Sequence, residues 1–125
     1  MFGYKQIAAI ARRAAEIIQQ RGKTKHMLID NSGRVCTVGA IRMALAEEGI
    51  GWRYVGGDDF AVEPDRESRE QAGLAEQVIT EAFAKKVGIY GHGRSIPEWN
   101  DGYGDNGVDV IAKTFLQVAD EIEVR

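Results

Sequence analysis

Residues 30–49 read Asp30-Asn-Ser-Gly-Arg-Val-Cys-Thr-Val-Gly-Ala-Ile-Arg-Met-Ala-Leu-Ala-Glu-Glu-Gly49, and this stretch decides the fold. It opens with a turn, because Asp and Asn side chains hydrogen-bond to nearby backbone and glycine accepts a positive φ. The short segments that flank this turn predict a minimal β-hairpin near residues 27–35. Beyond Cys36 the apolar positions keep helical spacing up to a glycine, which is typical of a helix end. We therefore expect a tight turn that leads into a central helix.

The first turn of this central helix carries Gly39 and Ala40. So little side-chain bulk lets another backbone or a large ring approach closely, so we expect the helix to be closely packed. The stretch also holds the one cysteine of the chain, Cys36, but it carries no complete catalytic or ligand-binding signature.

Apolar residues spaced three and four apart predict three further main helices. The first spans about Tyr4 to Arg21. The second starts at Pro64-Asp65, because proline and acidic residues suit a helix start, and it ends at residues 85–86. The last follows Asn106 as its N-cap, and Ser95 starts one short helical turn by its capping-box spacing. The predicted buried face of the second helix consists of Leu74, Ala75, Val78, Ala82 and Phe83. The fold class is thus mainly α, a compact bundle of about four helices in a single domain, residues 1–125.

Between the central helix and Pro64 lie three aromatic residues, Trp52, Tyr54 and Phe60. Such a density of aromatics indicates that this segment folds back onto the core. The pattern over 52–55 fits an extended strand and a loop equally well.

Composition and charge place the chain among ordinary globular domains. It has 125 residues, of which 44% are hydrophobic and 28% charged, enough to bury a core without metal or disulfide. Short apolar runs, the lack of a secretory signal and the single cysteine favour a cytoplasmic location. The net charge of −3 divides unevenly, since residues 1–53 hold nine Lys and Arg against four Asp and Glu, and the remainder holds seven against fifteen.

Basic residues cluster around the predicted hairpin. Arg21, Lys23, Lys25 and Arg34 form a basic rim over residues 21–34, which is one alternative site for nucleic acid. We do not expect nucleic acid as the main partner, because the rim lacks aromatic side chains on which bases stack.

Three pieces of the sequence stand out together: the alanine-containing helix from Ala8 to Gly22, the Gly-Arg-Val-Cys-x-x-Gly-Ala segment at 33–40, and Trp-Asn-Asp at 99–101. In these pieces the chain resembles an uncharacterised domain family of actinobacteria and their phages. This chain differs from the family pattern in longer inserts at 88–94 and 102–107. The resemblance implies the fold and a phage or prophage setting, with the host cytoplasm as location, and it supplies no reaction.

Cys36 at a helix start suggests one enzymatic alternative. The helix dipole and unpaired amides favour a thiolate, so Cys36 with His92 as base and Asp101 as orienting acid would form a cysteine-dependent hydrolase or transferase. His26 is a second candidate base. The local signatures of known catalytic cysteines are absent, and a lone buried cysteine behaves as a small hydrophobe.

The Trp-Asn-Asp segment has a structural and a functional interpretation. In the structural one, Trp99 packs onto Gly39 and Ala40 while Asn100 and Asp101 bind loop amides or cap a helix. In the functional one, these side chains line a pocket for a small polar or anionic ligand. The predicted ligand-binding residues are Arg34, Cys36, His92, Arg94, Trp99, Asn100, Asp101 and Tyr103.

No metal or cofactor is expected. Residues 102–107 match G-x-G-x-x-G in letters, but no buried strand precedes them and nearby acids would repel a pyrophosphate. The same acids fail the EF-hand pattern, where Ala112 stands in place of the final ligand, and one Cys with two His is too few for zinc.

The leading functional hypothesis is a binding or regulatory module that captures a small molecule or a host protein through the loop at residues 90–106. The thiol enzyme and the nucleic-acid binder are its alternatives. The regular spacing of the last helix also suits a homodimer seam. No membrane partner is expected.

Overall fold

A computed structural model describes residues 2–91, 95–102 and 107–125. The elements in chain order are α1 (Tyr4–Arg21), α2 (Thr37–Glu47), β1 (Trp52–Gly56), β2 (Asp59–Val62), α3 (Arg66–Lys86), α4 (Ile96–Asn100) and α5 (Val108–Glu123). The mainly α architecture with four main helices and one short helical turn is confirmed.

Helix α1 packs most extensively against α5, and the two form the centre of the core. Both bury the apolar stripe that their sequence spacing predicts, with Ile7, Ile10, Ile17 and Ile18 from α1 and Ile111, Phe115, Val118 and Ile122 from α5. Across the exposed edge of this pair, Arg12 donates hydrogen bonds to Asp120 and Glu123 at 3.0–3.1 Å. The residue that precedes α5 is Gly107, and the predicted cap Asn106 lies outside the described residues.

Helix α3 begins where the sequence predicts, with Asp65 as its N-cap accepting a hydrogen bond from the amide of Ser68 at 3.0 Å. Its buried face differs from the prediction at two positions, because Leu74 is 50% exposed and Val78 is only partly buried. The side chains that α3 buries are Ala72, Ala75, Ile79, Ala82 and Phe83. The helix therefore faces the core about one position away from the predicted stripe.

The regular β-hairpin lies at 52–62, where the sequence left strand and loop open. Strands β1 and β2 pair antiparallel, with Trp52 opposite Val62 and Tyr54 opposite Phe60. The Phe60 ring contacts the Trp52 and Tyr54 rings at centroid distances of 6.5 and 5.7 Å. All three side chains are partly buried against the core, so the segment folds back onto it as expected.

The minimal hairpin predicted near residues 27–35 consists of a single antiparallel bridge between Ile29 and Val35. Asp30 closes the turn, since its carboxylate accepts hydrogen bonds from the amides of Ser32 and Arg34 at 3.0 and 2.9 Å. Val35 also bridges to Lys23 in parallel, which ties the chain after α1 to the start of α2.

Candidate functional site

The segment 26–28 lies against the first turn of α2. Cys36 is the N-cap of this helix, and its Sγ accepts a hydrogen bond from the amide of Gly39 at 3.2 Å. The amide of Cys36 in turn donates to the carbonyl of Leu28 at 3.0 Å. A Cβ atom added at Gly39 would lie 1.8 Å from that carbonyl oxygen, so only glycine fits there. The sequence predicted that a backbone or a large ring approaches Gly39 closely, and the group that does so is the Leu28 backbone.

Trp99 does not fill the space beside Gly39 that the structural interpretation assigned to it, because the Leu28 carbonyl occupies it. The buried Trp99 ring instead packs edge-on against Phe83 at a centroid distance of 5.3 Å, and Phe83 packs against Phe115 at 5.0 Å. Trp99 therefore anchors α4 to the core. It does not line the cavity described below.

Asn100 joins three segments of the chain from a fully buried position, with 0% exposure. Its Oδ1 accepts hydrogen bonds from the amide and the hydroxyl of Thr37 at 2.9 and 2.7 Å, and its Nδ2 donates to the carbonyl of Thr24 at 3.0 Å. Asn100 thus caps the first turn of α2 from a distant segment. The predicted structural role of this side chain is confirmed.

Asp101 holds the backbone at His26. Its Oδ1 accepts hydrogen bonds from the His26 amide and from Asn100 Nδ2, both at 3.1 Å, and its Oδ2 lies 3.2 Å from His26 Nδ1. Burial raises the pKa of Asp101, but the two hydrogen bonds and the charges of His26 and Lys23 outweigh it, so the pKa lies below its ordinary value. His26 adopts a positive φ of 66°, which is uncommon outside glycine.

A cavity of about 250 Å³ lies between these segments. Its walls are His26, Met27, Leu28, Cys36, Pro97 and Asp101. The walls are mostly apolar, and the ionised carboxylate of Asp101 is the charged group among them. This combination of an apolar body and a localised polar group is the usual character of a small-molecule site.

The thiol of Cys36 lines this cavity but is not activated. It is 6% exposed, and burial raises the pKa of the Cys36 thiol. The Gly39 amide offsets this effect in part, while the charge of Asp101 adds to it. The lowered thiol pKa expected from the helix start is therefore wrong, because loss of solvation outweighs the favourable helix end.

Of the five predicted ligand-binding residues that the structure describes, two line the cavity, Cys36 and Asp101. Arg34 instead donates from Nε to Asp30 Oδ2 at 2.8 Å and so closes the turn before α2. Three predicted residues, His92, Arg94 and Tyr103, lie outside the described residues. The site prediction omitted the wall residues Met27 and Leu28. They belong to a short apolar run, and the sequence does not show that this run packs against the first turn of α2.

Part of the predicted basic rim has structural partners. Besides the contact of Arg34 with Asp30, Arg21 donates to the carbonyl of Gly33 at 3.3 Å and lies 5.8 Å from the centre of the Tyr54 ring. These contacts hold the turn and the hairpin in place. They give the rim a role in the fold that does not require nucleic acid.

Within the described ranges, no three His, Cys, Asp or Glu side chains form a group that would hold a metal ion. None of the helices there is both long and apolar enough to cross a membrane.

The fold and site define a small mainly α domain in which an α4 asparagine caps α2 beside an apolar cavity. A profile of DUF6197, a family of unknown function, matches residues 4–120, and the chain belongs to this family. No curated protein and no solved structure matches the chain.

Proposed function

We propose that this chain is a ligand-binding module and that its cavity at the start of α2, the α2 cavity, takes a small neutral molecule. The observation that carries the proposal is the α2 cavity itself, whose described walls are apolar apart from His26 and the ionised carboxylate of Asp101. A volume of about 250 Å³ lies just below the roughly 300–1,000 Å³ typical of pockets for drug-sized ligands. The ligand is therefore small.

The charge of the wall favours a neutral polar group over an anion. An anion would meet the ionised Asp101 directly. A cation gains less there, because the positive charge of Lys23 already acts on this carboxylate. A neutral hydroxyl group is not repelled by Asp101, and it can donate a hydrogen bond to Asp101 Oδ2. It would share this oxygen with the side chain of His26, which is 80% exposed.

Hydrogen bonds and close backbone packing position the walls of the α2 cavity. Asn100 fixes the start of α2, Asp101 fixes the backbone of His26, and Leu28 lies in backbone contact with Gly39. A cavity that is already formed saves the ordering cost that a flexible site would have on binding.

The binding test uses methionine methyl groups as reporters, because Met27 is in the wall whereas Met43 is buried in the core. Protein labelled with ¹³C at the methionine methyls is titrated with benzyl alcohol and with benzoate at neutral pH. We expect benzyl alcohol to shift the Met27 resonance saturably while Met43 moves little, and benzoate to shift neither. No saturable change at Met27 would refute the proposal.

Two variants link that signal to the cavity. Pro97 is exposed and lies in the wall, so Pro97→Trp should narrow the cavity and weaken binding of benzyl alcohol. Leu116 is an exposed residue of α5 outside the wall, and Leu116→Trp is the matched control. Equal affinity in the two variants would place the alcohol elsewhere.

The broader expectations from the sequence stay predictions. They are capture of a host protein through residues 90–106, a phage setting with a location in the host cytoplasm, and a homodimer through α5. The proposed small-molecule site is compatible with each of them.

A further inference from the structure

A second cavity, the α1–α2 cavity, lies at the opposite end of α2 from the α2 cavity. It has a volume of about 240 Å³ and lies between α1 and the residues that follow α2. Because α2 has 11 residues, its two ends are about 16 Å apart at 1.5 Å per residue. The two cavities are therefore separate sites that share one helix.

The floor and walls of the α1–α2 cavity are apolar. Ala9 is an exposed residue with a small side chain, and the other apolar walls are Phe2, Ile10, Ile50 and the fully buried Ala44. Gln6 Oε1 accepts a hydrogen bond from the amide of Gly3 at 2.9 Å and so holds the chain start, next to Phe2. The apolar part suits a compact ring or a short branched chain.

The two charged wall residues, Arg13 and Glu48, are not equivalent. Arg13 is bound by Glu47 through two hydrogen bonds of 2.7 and 2.9 Å, and Glu16 lies 3.6 Å from its guanidinium. The carboxylate of Glu48 has no side-chain hydrogen bond or ion pair within the part of the chain that the structure describes. The accessible charge of the cavity is thus negative.

The position of Glu48 in the fold adds to this preference. Glu48 is the C-cap of α2, and the carbonyl end of a helix attracts positive charge. The carboxylate of Glu48 and the C-terminal end of α2 therefore both make the rim of the cavity negative. The nearby charge of Arg13 is already neutralised by Glu47 and Glu16.

We propose that the α1–α2 cavity binds a small organic amine, with its apolar body against Phe2, Ala9 and Ile50 and its ammonium group paired with Glu48. This ligand differs in charge from the neutral molecule proposed for the α2 cavity. The chain then carries two ligand sites of different chemistry at the two ends of α2.

The test is a titration of ¹⁵N-labelled protein with benzylamine, which is protonated at neutral pH, and with benzoate. We expect benzylamine to shift the amides of Ala9, Ala44 and Glu48 saturably and benzoate to leave them unchanged. Shifts spread evenly over the surface, or equal binding of the amine and benzoate, would overturn the proposal.

Two variants and one control separate the charge from the cavity. Glu48→Gln removes the charge and should weaken benzylamine about two- to fivefold, as for an exposed ion pair. The matched control Glu67→Gln removes one negative charge from the first turn of α3, away from the cavity, and should not change affinity. Ala9→Leu fills the floor from an exposed position and should abolish binding. Equal affinity of the Glu48 and Glu67 variants, or full binding by Ala9→Leu, would contradict the proposal.

Discussion

The replacement Asn100→Ala tests how far the architecture depends on one buried amide. It leaves three buried groups without their partner: the amide and hydroxyl of Thr37 and the carbonyl of Thr24. An unsatisfied buried polar group costs about 1–3 kcal/mol. If water reaches some of the vacated space, the free energy of unfolding should fall by about 3–5 kcal/mol.

Urea unfolding followed by far-UV circular dichroism measures this loss. The matched control is Thr37→Val, which removes the hydroxyl but keeps the amide of residue 37 bonded to Asn100 Oδ1. This control should lose only about 1 kcal/mol, the usual net value of one hydrogen bond. If Asn100→Ala loses no more stability than Thr37→Val, then Asn100 does not join the three segments as described.

Three further outcomes follow from the packing and the charges. Gly39→Ala should lower the free energy of unfolding by about 3 kcal/mol or more, since its Cβ would overlap the Leu28 carbonyl. Gly73→Ala, on the open face of α3, should raise it by about 0.5–1 kcal/mol. Equal effects of the two variants in thermal unfolding would contradict the packing at Gly39. Trp99→Ala should cost about 3–5 kcal/mol in the same assay, and a loss under about 1 kcal/mol would refute its role as an anchor. Because folding lowers the pKa of Asp101, its carboxylate stabilises the fold above its unfolded pKa, and this contribution is lost as the pH falls through the folded pKa. Asp101→Asn should therefore flatten the acid side of the stability profile, and an unchanged slope would argue against the contacts of Asp101 with His26.

Helical periodicity predicted most of the fold. The stripe of α1, the start of α3 at Asp65 and the short turn that Ser95 caps all depend on residues close in sequence, and they appear as expected. The error at Leu74 arose because a helix of 21 residues with several alanines offers two neighbouring apolar faces. Packing against α1 and α5 decides between them, and that contact is not visible in local spacing.

The site was harder to predict because its walls meet only in the folded chain. Asn100 and Thr37 are 63 positions apart, and His26 and Asp101 are 75 positions apart. The polarity of Asn100 and Asp101 indicated that they bind backbone groups, but nothing in the sequence indicated which ones. Of the two interpretations of Cys36, the buried small hydrophobe is confirmed and the lowered thiol pKa is wrong, because the helix start does not show the burial that opposes ionisation.

The rate at which iodoacetamide modifies Cys36, with and without benzyl alcohol, tests the central claim most directly, because this thiol lines the proposed site. With a buried thiol of raised pKa, we expect slow modification near neutral pH and a further slowing by benzyl alcohol but not by benzoate. Fast modification of the folded protein would favour the thiol enzyme over the binding module. A slow rate that benzyl alcohol leaves unchanged would show that the alcohol does not occupy the α2 cavity.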